Sequence, residues 1–94
     1  MNLPALERCV VGWNRSRLDL ASDEMLAQIL DRGDLAAWGE LYRLAVEDRG
    51  LRRRILALIR AVPLAYPGFW RAALASLGEP IDWTAPLPHD DGIA

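Results

Sequence analysis

The tripeptide Arg32-Gly33-Asp34 joins two stretches whose apolar residues recur at three- and four-residue spacing, and this junction constrains the fold more than any other feature of the chain. Residues at that spacing share one face of an α-helix. Before the junction, Leu26, Ile29 and Leu30 form such a stripe. It follows Ser22, a capping residue type, and Asp23 and Glu24, which suit the positive end of a helix dipole. The spacing predicts a helix from Ser22 to Arg32. After the junction, Leu35, Trp38, Leu41, Tyr42 and Ala45 form a second stripe, with Glu40, Arg43 and Glu47 turned away. That pattern predicts a helix from Leu35 to about Glu47, anchored in the core by Trp38. Gly33 is then expected in the left-handed conformation that commonly ends a helix, and Asp34 as the N-cap of the next one. An adhesion role for this Arg-Gly-Asp triplet requires an extracellular protein, so the structural corner is preferred.

Asp48-Arg49-Gly50 is expected to break the second helix. A third, from Leu51 to Val62, carries Leu51, Ile55, Leu58, Ile59 and Val62 on one side and Arg52, Arg53, Arg54 and Arg60 around the rest, until Pro63 ends it. Two prolines between Pro63 and Pro67 impose a connector. Pro67 suits the first position of a further helix, which groups Trp70, Ala73, Leu74 and Leu77 and closes at Gly78. The opening segment reads as a short helix from Leu3 to about Val11 behind Asn2 and Pro4, with an extended course as the alternative. Trp13, Leu18 and Leu20 then alternate toward Ser22. Residues 79–94 contain Pro80, Pro86, Pro88, Gly92 and three aspartates, which exclude regular secondary structure. The expected architecture is an all-α bundle of four to five short helices over residues 1–78, with an extended proline-containing tail over 79–94. Ile81, Trp83 and Leu87 are costly to leave in water, so the first half of that tail is expected to dock on its own domain or on a partner.

Ninety-four residues bury only roughly 60 to 65% of the surface that the unfolded chain exposes, so binding a partner adds useful burial. At 52% hydrophobic and 26% charged residues, the chain has ample apolar surface to fold. No apolar run approaches the ~20 residues of a membrane-spanning helix. Glu7 and Arg8 fall where a secretory signal needs apolar residues, which favours a cytoplasmic location. The single cysteine, Cys9, forms no internal disulfide and fits a reducing compartment. All eleven basic residues are arginine, yet the net charge is −2, the wrong overall sign for a protein that binds chiefly to phosphate backbones.

Catalysis needs titratable groups that converge, and few candidates exist. His89, the only imidazole, lies in the proline-rich tail beside Asp90 and Asp91, where nothing holds a general base or a metal in place. Asp23 and Glu24, like Glu47 and Asp48, are adjacent pairs at helix ends, and adjacent side chains on a helix diverge. Gly33, Gly39 and Gly50 open no phosphate-binding loop. The expectation is therefore a protein with no active site, metal or cofactor. The most suggestive charges are Arg49, Arg52, Arg53 and Arg54 at the start of the third helix, where cations oppose the helix dipole. An acidic partner is one reason for them to be there. A helix-turn-helix that presents them to DNA is an alternative. Solvated arginines whose stems pack over apolar neighbours are the third reading.

The run Met25-Leu26-Ala27-Gln28-Ile29-Leu30-Asp31-Arg32-Gly33-Asp34-Leu35-Ala36-Ala37-Trp38, then Leu41 and a later Phe69-Trp70, resembles small helical bacterial antitoxins found beside nucleotidyltransferase-like toxins of the abortive-infection type. The chain has Gly68 where such proteins carry Asn. The resemblance spans about Trp13 to Leu77. It implies a protein partner, a nucleotidyltransferase-like toxin neutralised by direct binding. Gly33, Asp34, Trp38, Phe69 and Trp70 are then structural, while Arg49, Arg52, Arg53, Arg54, Ile81, Trp83 and Leu87 are the expected partner-binding set. A DNA-binding regulator and a non-catalytic subunit of a larger complex are the competing functions.

Overall fold

The computed structural model describes residues 2–14 and 17–88, so His89, Asp90 and Asp91 lie outside the described residues. Five helices follow one another: α1 (Pro4–Gly12), α2 (Asp23–Arg32), α3 (Leu35–Glu47), α4 (Arg49–Ala61) and α5 (Pro67–Ser76). Among the described residues there is no strand, and the fold is the small all-α bundle that the periodicity implies. Helix α3 packs on α1, α2 and α4, while α4 packs on α2, α3 and α5. The α3–α4 pair is thus the centre that the other helices cover. Leu41 and Ala45 of α3 and Ile55 of α4 are fully buried, as are Leu26, Ile29 and Leu30 of α2.

Local capping accounts for most of the boundaries. The Ser22 hydroxyl accepts from the Met25 N–H at 3.2 Å, the Asp34 carboxylate from Ala37 at 2.8 Å and the Asp48 carboxylate from Leu51 at 3.0 Å. Caps of this kind contribute about 1 kcal/mol each. Helix α5 begins on Pro67 at its first turn and ends on Gly78, whose φ is 91°. There the Gly78 N–H donates to the Ala75 carbonyl and the Glu79 N–H to Leu74, the pairing of a left-handed glycine terminus.

Four expectations need correction. Gly33 is extended rather than left-handed, at φ −67° and ψ 153°. Glycine is required there for space: a Cβ would lie 2.5 Å from the Ile29 carbonyl oxygen and 2.7 Å from Trp38 Nε1. That indole N–H donates to the same Ile29 carbonyl at 2.8 Å, so Trp38 closes the end of α2 as well as filling the core.

Helix α4 starts at Arg49, two residues before the expected start, because Asp48 ends α3 and caps α4 at once. Leu35, assigned to the inward stripe, is 76% exposed. As the first residue of α3, its side chain tilts toward the helix N-terminus and past the packed turn. Glu40, assigned to the solvent face, is only 6% exposed. Its carboxylate accepts from the N–H groups of Ala5 and Leu6 at 2.9 and 2.8 Å. The opening segment is therefore a helix whose N-terminus is capped from α3, since Leu3 at the N-cap supplies no side-chain bond.

Trp70 is fully buried and Trp38 nearly so. Their rings meet edge-on with centroids 5.9 Å apart. Phe69 stacks on Trp38 at 5.1 Å, with Tyr66 edge-on at 5.9 Å, and this pair extends the aromatic cluster to the surface. Trp70 Nε1 has no acceptor among the described residues.

Candidate partner-binding surface

Helix α4 turns Leu51, Ile55 and Ile59 into the core and carries its arginines around the remaining circumference. The four at its start divide into two pairs. Arg52 reaches back along α3: Nη1 donates to the Ala45 and Val46 carbonyls at 2.8 and 3.1 Å, and Nε to Glu79 at 3.1 Å. A cation there meets the negative end of α3, so its position at the start of α4 is favourable after all. Arg54 donates through Nε and Nη2 to Asp23 at 3.1 and 2.8 Å, and through Nη1 to the Leu20 carbonyl at 2.8 Å. It fastens the lead-in and the first turn of α2 to α4. Both are structural clasps rather than free cations.

Arg49 and Arg53 differ. Both are exposed, and neither makes an ion pair among the described residues. Arg60 is also exposed, makes no ion pair among the described residues, and lies on the same side of the helix. Together with Arg52, Leu56 and Ala57 these three line an open groove of about 540 Å³, whose other wall is Leu77, Gly78, Glu79 and Pro80. Among the described residues, Glu79 is the only acid in that lining, and it is already paired with Arg52. The groove lining therefore combines a row of arginines with the apolar side chains of Leu56, Ala57, Leu77 and Pro80. Arg60 and Glu79 belong to it although neither was in the expected binding set. Arg60 is visible in the sequence as the third member of an i, i+4, i+11 series with Arg49 and Arg53.

The expected tail residues are distributed differently. Ile81 and Leu87 are half-buried and pack against the chain's own core. Arg71 of α5, only 8% exposed, holds the segment down by donating to the Ala85 carbonyl at 2.9 Å and toward Trp83 at 3.5 Å. Of the two docking alternatives, residues 79–88 thus take their own domain. Trp83 alone remains open, at 56% exposure. Asp82 braces this turn: the Thr84 hydroxyl, then the Thr84 N–H, hold its carboxyl below the usual range.

At the α2–α3 corner, Arg8 and Asp34 pair at 2.8 Å on the surface. The Ala37 N–H, then Arg8, lower the Asp34 carboxyl below its ordinary value, and the same pairing raises Arg8. No group of three or more metal-ligating side chains occurs among the described residues, and no described helix is long and apolar enough to cross a membrane. No protein family, curated protein or solved structure matches this chain.

Proposed function

We propose that this chain is a non-catalytic protein-binding module of the antitoxin kind, which acts in the cytoplasm and holds a nucleotidyltransferase-type toxin inactive by direct contact. The observation that carries the reading is the division of the α4 arginines. Arg52 and Arg54 are consumed by structural contacts, whereas Arg49, Arg53 and Arg60 stand exposed along one face with no ion pair among the described residues. Arginine is prominent among residues that dominate protein interfaces, and unpaired cations steer an acidic partner into place. Exposed Trp83, Tyr66 and Phe69 supply further surface of the type interfaces favour. The resemblance of the Met25–Trp38 run and of Phe69-Trp70 to antitoxins points to the same class of partner.

The helix-turn-helix alternative receives less support. Helices α3 and α4 are joined through Asp48 alone, whereas that motif uses a turn of about three to four residues. Co-expression with a nucleotidyltransferase-like protein encoded beside this chain tests the proposal. Restored growth and co-elution of both proteins support it. A chain that elutes alone, fails to restore growth and retains DNA at physiological salt refutes it.

A further inference from the structure

We infer that the groove between α4 and residues 77–80 is a receptor for a short acidic peptide segment of the protein partner, one with carboxylates along one edge and aliphatic side chains between them. This rests on the reading of the chain as a protein-binding module, and it names the chemistry recognised. Arg49 and Arg60 are eleven residues apart on one helix, which places the cationic wall over about 16 Å. That length suits two or three turns of a helix, or a shorter extended strand. Arg53 lies between them, and no neighbouring carboxylate neutralises any of the three among the described residues. Leu56, Ala57, Leu77 and Pro80 add apolar side chains to the same lining.

That combination discriminates between anions. A phosphodiester strand presents charge at every unit and gains nothing from an aliphatic lining. Proteins that live on nucleic acid generally neutralise about six to ten phosphates, against three free guanidiniums here. A net charge of −2 opposes a long polyanion further, whereas a short acidic segment engages the local cations only. A peptide also uses the apolar part of the lining, since leucine or alanine side chains next to its carboxylates reach Leu56 and Leu77. Arg52 takes no direct part, because its guanidinium is held by Glu79 and the end of α3.

The test is an NMR titration of the full chain with a synthetic peptide of about twelve residues, acidic at three- and four-residue spacing with leucine between, taken to about millimolar concentration. A matched single-stranded oligonucleotide and inorganic phosphate are the parallel titrants. The expected result is saturable shifts of the Arg49, Arg53 and Arg60 Nε–H and Ala57 N–H signals, with Arg43 on α3 unmoved. Arg49→Gln with Arg53→Gln should weaken the peptide roughly tenfold, and Arg43→Gln should leave it unchanged. No saturable shift, equal affinity in every variant, or tighter binding of the oligonucleotide overturns the inference. If the Arg49/Arg53 variant still captures the nucleotidyltransferase-like partner at full strength, the groove assignment fails while the proposed function stands. If the peptide binds as expected but no such partner is captured, the groove stands and the antitoxin reading fails.

Discussion

The α2–α3 corner and the outer face of α4 are both dense in polar groups, but they use them in opposite ways. At the corner, the Ile29 carbonyl accepts from Trp38, Asp34 caps α3 and binds Arg8, and Gly33 leaves no room for even one more carbon. On α4, Arg52 and Arg54 are satisfied internally, while Arg49, Arg53 and Arg60 have no internal partner among the described residues. A corner closed on itself specifies the fold. A face with charge left over is available to bind something else, and the difference lies in partners rather than in residue type.

The corner should therefore break hardest. Trp38→Ala removes a buried indole and its hydrogen bond, with an expected loss of about 3 to 5 kcal/mol in a urea titration. Gly33→Val should lose about 3 kcal/mol through overpacking. Gly33→Ala separates the two explanations for this glycine. At φ −67° alanine meets no backbone objection, so an expected loss of about 2 kcal/mol arises from contact with Ile29 and Trp38 alone. A neutral or more stable Gly33→Ala protein contradicts the observed packing.

Glu40 sharpens the comparison, because it is a charge that stability does use. Glu40→Ala leaves the Ala5 and Leu6 N–H groups without their acceptor, at an expected cost of about 2 to 3 kcal/mol. Amide exchange should accelerate in α1 before it does in α3. Uniform acceleration over both helices contradicts the assignment of this carboxylate as the clasp for α1.

These residues also show where a sequence becomes unreadable. The start of α3 is legible because Asp34 caps its own helix within three residues. The buried stripe of α4 is legible because its period is local. Glu40 is misread because the N–H donors it accepts from lie about 35 positions away, and a helix pattern places any glutamate on the wet side. Gly33 is correctly marked as special for the wrong reason, since only the packed position of Trp38 shows that space decides. The same limit divides the arginines. The four at the start of α4 look alike until the end of α3 and the first turn of α2 arrive beside two of them, and Arg60 joins the groove only when residues 77–80 supply its far wall.

A smaller effect is expected from acid. The Asp34 carboxyl titrates below its ordinary value in the folded chain, so its contribution is complete above the ordinary carboxylate range and fades as the pH falls through that range to the lowered value. Asp34→Asn should flatten this part of the stability profile and leave the neutral-pH side unchanged in slope. An unchanged acid limb means that Asp34 does not carry the dependence.

The smallest expected change in stability belongs to the free face of α4, and there the comparison is tested most directly. Two double variants, Arg49→Gln/Arg53→Gln and Arg52→Gln/Arg54→Gln, are compared by thermal melting and by capture of the nucleotidyltransferase-like partner per folded molecule. The first should melt within about 3 °C of the intact chain, since exposed substitutions generally change stability by less than about 0.5 kcal/mol, and yet lose capture. The second should melt about 10 °C lower, because it unfastens α3, α2 and residue Glu79, while its folded fraction still captures the partner. The reverse pattern, with the first pair unfolding the chain and the second abolishing capture, contradicts the division of labour between closed and open arginines.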